Sequence, residues 1–441
     1  MRRFALVLVL ALPHLAAADG EKLTLDQVIG KAIANPKVEM AQSDQAAAEA
    51  RLDEADASRL PRIKGIAFGT ISPEIHCLDA QCLETSPRNF AFRFSGLFGT
   101  AEIDITQPLY TFVKIAHARA AARAGLDAQR ALSDEAAGDA AVDAARAYWG
   151  LKLARELGAM LDDGIDEIDK ATKDFATKEG ATVQDRQRVA VLLAEAKTQR
   201  AEAAQGEADA LAGLRAITAD PKADIDDTDL AAKDYKLPDD KGVIAGATRR
   251  PQRVAAQAGA EAADELAKFE ASQYFPDIAL IGSAVYSHAQ GVDDPPSAFA
   301  YDPYRRTGAG LGVGLQWTLE PWNIAARTAR ARAEAHKMHA QANLAEIGAN
   351  YDAQNALDDA RAAKAKLDAT TEGEKSARTW LAAVLQDEAI GTAEARDLAD
   401  AYIAWFQMRA RWAAAVMQWN VAVVRLQRAT GEFRAGPYRP R

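Results

Sequence analysis

Long stretches of this chain place small apolar residues three and four apart, with charged residues between them and almost no helix breakers. The pattern predicts helices over 112–179 and 324–390, each followed by a returning helix over 183–218 and 393–430. Gly180 and Gly391 fall where each pair reverses. At 1.5 Å per residue the longer helices would run roughly 100 Å, too long for a compact globule, so the pattern reads as coiled-coil hairpins. Between these stretches the period changes to two. In 307–317, Ala309, Leu311, Val313, Leu315 and Trp317 alternate with Gly308, Gly310, Gly312, Gly314 and Gln316. In 100–107, Ala101, Ile103 and Ile105 alternate with Thr100, Glu102, Asp104 and Thr106. Two more strands are expected over 62–72 and 277–287. Eleven residues suit a tilted strand crossing a bilayer, and carboxylates in mid-strand suit a wet interior. A soluble hairpin packed on a helix is the other reading of the same alternation. Aromatic residues flank the strands (Phe90, Phe92, Phe94, Phe98, Tyr301, Tyr304, Trp317), as at membrane interfaces.

The pattern occurs twice. Residues 28–72 resemble 243–287, with Pro36 matching Pro251 and Pro61 matching Pro276. Gln107-Pro108 has a counterpart in Glu320-Pro321, and Gly180 in Gly391. Each half therefore reads as a helix stopped by proline, a strand, a polar loop, a second strand and a long helical hairpin. Aligning the halves on Pro108 and Pro321 shifts the strand parity by one residue, which is expected to be a loop difference. The organisation predicted is a signal peptide over 1–18, a first repeat over 19–219, a linker over 220–242, a second repeat over 243–431 and a tail over 432–441. Within the repeats the strand pairs occupy 62–107 and 277–317, and the hairpins 112–218 and 324–430.

Composition narrows the class. Dense charge, few aromatic residues and a formal net charge of −10 fit solvated helices packed through alanine and argue against nucleic acid. Arg2 and Arg3, the apolar run Phe4–Leu12 and Ala16–Ala18 make the N-terminus a cleavable export signal. No later segment is apolar enough for a transmembrane helix. Four strands cannot close a barrel, and open edges are not tolerated in lipid. Two chains would give eight strands and a filled interior; three give twelve, with room for a channel.

The ordered set of features resembles the TolC-type outer-membrane efflux proteins across the whole mature length. The passage "TQPLYTFVKIAHARAAA" (106–122), the glycine-centred tips (178–196 and 390–407) and the closing "LAGLRAITA" (211–219) and "VVRLQRATG" (423–431) carry the likeness. The resemblance implies an α+β membrane protein, internally duplicated. Its four β-strands would join a trimeric 12-stranded outer-membrane barrel, continued by a long α-helical coiled-coil periplasmic barrel. It further implies an exit duct of a tripartite efflux or type I secretion system, docked on an inner-membrane pump through a periplasmic adaptor. Asp397 and Asp400 fall where the family carries an Asp-x-x-Asp pair constricting the tunnel mouth; Arg186 stands at the matching place in the first half. Gly180, Ala181, Thr182, Gly391, Thr392 and Ala393 would be the low tips that an adaptor meets. A solvated acidic helix face and plain helix termini are the alternatives for these two groups.

The remaining chemistry is sparse. Cys77 and Cys82, the only cysteines, read as a disulfide within the first outer loop, since His76 alone does not complete a metal set. His336 and His339 share a helical face and read as solvated. The other outer loop, 291–306, is acidic and then basic. No catalytic constellation, cofactor motif or metal site is expected, so the chain does not read as an enzyme. A soluble periplasmic coiled-coil adaptor or scaffold is the competing function. Drug, metal, small-molecule and protein cargoes are equally compatible with the sequence.

Overall fold

The computed structural model describes residues 22–78, 88–177, 182–293, 302, 304–390, 392 and 394–436, excepting the side chains of Pro73, Cys77 and 89–95. The elements run in order β1 (Lys22–Leu23), α1 (Leu25–Ile33), α2 (Pro36–Ala57), β2 (Arg62–Cys77), β3 (Arg88–Tyr110), α3 (Lys114–Thr177) and α4 (Val183–Thr218). There follow β4 (Asp224–Ile225), α5 (Asp240–Ala247), α6 (Pro251–Ser272), β5 (Asp277–Ala289), β6 (Arg306–Gln316), α7 (Pro321–Ala389) and α8 (Ala395–Ala429). The duplication is visible in the element ends. Pro36 and Pro251 are both first residues of 22-residue helices, where a missing N–H costs nothing. Asn35 caps the first of these by accepting from Lys37 N at 3.0 Å.

Two compact units form, and each draws on both repeats. The sheet-bearing unit takes 46–128 and 256–342. Its four strands are ordered β2-β3-β5-β6, every neighbouring pair antiparallel, leaving β2 and β6 as edges. Helices follow the same order. Asp56 of α2 pairs with Arg119 of α3, His117 of α3 with Glu265 of α6 at 2.7 Å, and Glu270 of α6 with Arg327 of α7 at 3.6 Å.

The first strand pair is longer than its alternation suggests, reaching Cys77 and starting at Arg88, because residues beyond the alternating core keep ladder pairing through irregular register at Pro73. The two prolines used to align the halves are not structural equivalents. Pro108 lies inside β3, opposite Ala279, and Leu109 is bulged out before Tyr110 pairs with Ile278. Pro321 is instead the first residue of α7. The parity shift therefore lies in a strand bulge and in unequal strand-to-helix passages, not in a loop. The first passage is also strained: Phe112 and Val113 have φ of 47° and 64°, a region unfavourable for a β-branched residue. Phe112 stacking on Phe275 at 5.4 Å and Lys114 Nζ bonding Asp277 at 2.8 Å hold it in place.

The helical unit takes 22–45, 129–255 and 343–436 among the described residues. Its larger core interdigitates Tyr148 and Leu151 of α3, Leu214 of α4, Leu357 of α7 and Val416, Trp419 and Val423 of α8. A second core, around Ile168, Phe175, Val189, Leu398 and Tyr402, lies closer to the hairpin ends. The segment between the repeats is pinned down. Lys152 Nζ, almost fully buried, reaches Asp226 Oδ1 at 2.6 Å and Thr228 Oγ1 at 2.7 Å, and buried Asn420 accepts from Lys233 N at 2.7 Å. The short β1 and β4 pair in parallel, which two-residue strands do not announce in sequence.

Candidate functional site

Pairing fixes which side chains share a face of the sheet. Ile63 opposes Ile105, Ile71 opposes Leu97, Ile103 opposes Ala284, and Gly282 opposes Leu311. Over 63–71, 97–105, 278–288 and 307–315 this face carries no Asp, Glu, Lys or Arg. It nevertheless faces outward in the isolated chain: Leu311 is 74% exposed and Ile63 70%. A water-facing sheet surface of this kind would be an aggregation hazard, whereas lipid accepts it. The opposite face holds Arg62, Lys64, Glu102, Asp104, Thr100 and Ser283, with Lys64 directly opposite Asp104. At the strand-to-helix junction Leu109, Tyr110, Phe275, Trp317 and Trp322 are all exposed, which suits an interfacial belt.

At the far end of the sheet the chain leaving β5 turns across the polar face. Gln290 N donates to Leu97 O at 2.9 Å, and Ile75 N donates to Gly291 O at 3.0 Å, so the segment passes over β3 to reach β2. Gly96 lies beneath it, where a Cβ would collide with the Gln290 carbonyl. Tyr304 packs on Phe98 with ring centroids 5.8 Å apart, and Phe98 on Phe68 at the same separation. Of the expected aromatic flank, the side chains of Phe90, Phe92 and Phe94, and Tyr301 as a whole, lie outside the described residues. So does the expected Cys77–Cys82 bridge.

In the helical unit the hairpin ends are built by local capping. Thr182 is the N-cap of α4: its hydroxyl accepts from Asp185 N at 3.2 Å, while the Asp185 carboxylate accepts from Thr182 N at 3.0 Å. Thr392 closes α7, donating through N at 2.9 Å and through Oγ1 at 3.0 Å to Asp387 O. Gly180, Ala181, Gly391 and Ala393 lie outside the described residues. Both threonines thus have a structural task within their own chain, and the Thr182–Asp185 box was readable from its spacing.

Asp397 and Asp400 sit on one exposed face in the first turns of α8, while Leu398, Ala399 and Tyr402 turn inward to the second core. The packing of α8 therefore presents both carboxylates together, as their spacing requires. Arg396, not singled out from sequence, lies beside them with Nε 3.7 Å from Asp400 Oδ2. Both partners are largely exposed, so the pair adds little stability but does dilute the local negative charge. Burial pushes the Tyr402 phenol up, with Glu167 and Glu388 adding to the effect. His336 and His339 are both exposed, as expected, and His339 also bonds Asp264 at 2.8 Å. No helix among the described residues is long and apolar enough to cross a membrane, which bears on helices alone.

Residues 247–432 match the family model of outer membrane efflux proteins. The second half of the chain is thus similar to this family. The matched segment covers α6 to α8, the second repeat, and the first repeat carries the same elements in the same order. No curated protein sequence matches the chain. Solved outer-membrane channel structures superpose on nearly all of it. The Campylobacter jejuni CmeC outer membrane channel aligns at a TM-score of 0.73 with 16% identity, covering 93% of this chain and 86% of its own. The Vibrio cholerae outer membrane protein VceC aligns at 0.70 with 18% identity, covering 94% and 97%. The Neisseria gonorrhoeae MtrE outer membrane channel, in its open state, aligns at 0.73 with 16% identity, covering 94% of each chain. At such identities the likeness establishes the fold alone and leaves the roles of single side chains to their own geometry.

Proposed function

We propose that this chain is the outer-membrane exit duct of a tripartite efflux or type I secretion system. Its four strands join those of two further copies in a twelve-stranded barrel, and its signal peptide is removed on export. One observation carries the reading: a four-stranded sheet with one uncharged apolar face turned outward, a polar face behind it, and, among the described residues, the edge of β6 and the edge of β2 before Ile75 left open. Lipid accepts the first face, water the second, and neighbouring copies satisfy the edges. The duct is passive, because the arrangement offers a path and no reaction. An inner-membrane pump would supply the cargo, and an adaptor would meet the hairpin ends around 178–182 and 390–394.

Asp397 and Asp400 are the narrow point of this reading. Three copies would bring six carboxylates into one ring, attracting cations and hindering anions, with Arg396 moderating the field. In planar bilayers the purified protein is expected to form ohmic pores that favour cations and are blocked by multivalent cations. The double variant Asp397→Ala/Asp400→Ala should lose that block and gain conductance. Unchanged selectivity and block would remove the two aspartates from the gate. Release of the wild-type chain by osmotic shock, without detergent and without pores, would instead favour a soluble scaffold.

A further inference from the structure

The helices of the sheet-bearing unit alternate in charge. Residues 46–57 of α2 set Glu49, Asp53, Glu54 and Asp56 against Arg51 alone. The opening of α3, 114–128, is basic through Lys114, Arg119 and Arg123 against Asp127. Residues 256–272 of α6 are acidic again, with four carboxylates against Lys268, and 321–342 of α7 are basic, with Arg327, Arg330, Arg332 and Lys337 against Glu334. Each internal boundary uses the alternation: Asp56 with Arg119, His117 with Glu265, Glu270 with Arg327. The series stops at its two ends. Glu49, Asp53 and Glu54 of α2, and Arg330, Arg332 and Lys337 of α7, are exposed and make no ion pair among the described residues. These helices flank the two open strands, α2 preceding β2 and α7 following β6.

We propose that a second copy of this chain docks head to tail on the β6–α7 edge and that charge selects the edge. Arg330, Arg332 and Lys337 receive the partner subunit's Glu49, the partner subunit's Asp53 and the partner subunit's Glu54. The strand pairing is antiparallel, since β2 and β6 run in opposite senses within the sheet. The contact continues the sign alternation around the assembly without a break. It also excludes the mirror errors, α2 on α2 and α7 on α7, where like charges meet. Repeated by a one-third rotation, as the duct reading above requires, a head-to-tail contact of this kind closes into a ring. This inference rests on the duct reading above and names the surface by which its copies recognise one another.

The test uses the full chain in detergent. Two triple variants reverse one edge each: Arg330→Glu/Arg332→Glu/Lys337→Glu and Glu49→Lys/Asp53→Lys/Glu54→Lys. Each alone should lower the oligomer fraction in native mass spectrometry at low salt by roughly tenfold. The six-fold variant carrying both should recover most of it, because the signs are again opposite. A second measurement does not depend on reversal being tolerated. In a Cys77→Ser/Cys82→Ser background, Asp53→Cys with Arg332→Cys should crosslink between chains, while Arg332→Cys alone should not. Triple variants that assemble like the wild type, a combined variant no better than either, or absent crosslinks would overturn the proposal. A wild-type chain that neither assembles nor conducts would overturn the duct reading itself, a different result from charge-insensitive assembly.

Discussion

Ala219 and Gly431 end equivalent helices in the left-handed region, at φ of 51° and 69°. Both close the same way. Asp220 N bonds Arg215 O at 3.1 Å, and Glu432 N bonds Gln427 O at 3.0 Å, the six-to-one bond of a Schellman turn. At Gly431 a Cβ would also lie 2.6 Å from Arg249 O, so glycine is required there twice over. Ala219 bears a left-handed penalty of about 1–2 kcal/mol, and glycine would return about 0.5–1 kcal/mol through the unfolded chain. Ala219→Gly should therefore stabilise by roughly 0.5–1 kcal/mol. A lower midpoint in thermal melts followed by circular dichroism would contradict it. Gly164 gives the opposite case. A Cβ there would run into the Phe406 ring, so Gly164→Ala gains about 1 kcal/mol of helix propensity but loses about 1–3 kcal/mol to overpacking. The expected net loss should be relieved by adding Phe406→Leu; equal midpoints for Gly164→Ala and wild type would sink the packing account.

Among the elements, the hairpin helices and the core of each strand were legible because their periods are long and clean. Helix α4 occupies Val183–Thr218, the span its alanine period marks. The bulge at Leu109 was not legible, since pairing with β5 decides it and no local residue announces it. The Asp397–Asp400 pair proposed as the gate was visible as spacing, whereas Arg396 needed the helix in place before its approach to Asp400 meant anything. The inter-repeat segment offers a measurable contact. Burial pushes the Asp226 carboxyl up, but Lys152, Thr228 and Tyr148 outweigh it and hold it below its ordinary value. A depressed folded-state value means the stabilisation is complete above the unfolded carboxylate range and fades as pH falls through the folded value. Lys152→Met should thus cost roughly 2–3 kcal/mol at neutral pH, the penalty for stranding a part-buried carboxylate. Its stability should also fall less steeply than the wild type's below about pH 4. An unchanged acid limb in urea titrations would show that the ion pair does not anchor the segment.

At the scale of the whole molecule, the sequence repeats and the compact units divide the chain differently. Each unit is assembled from both repeats, so neither half holds a complete sheet or a complete core. Alternation along single strands announced two kinds of face, and register then joined them into continuous surfaces, one uncharged and one polar. What single strands could not reveal is where the ladder stops. Among the described residues β6 is paired on one side only, and β2 likewise except where Ile75 meets the 291–293 segment, so in the proposed duct the remaining edge hydrogen bonds come from a neighbouring copy. Dilution should then act on this protein as a denaturant does, and its melting point should climb with the logarithm of its own concentration.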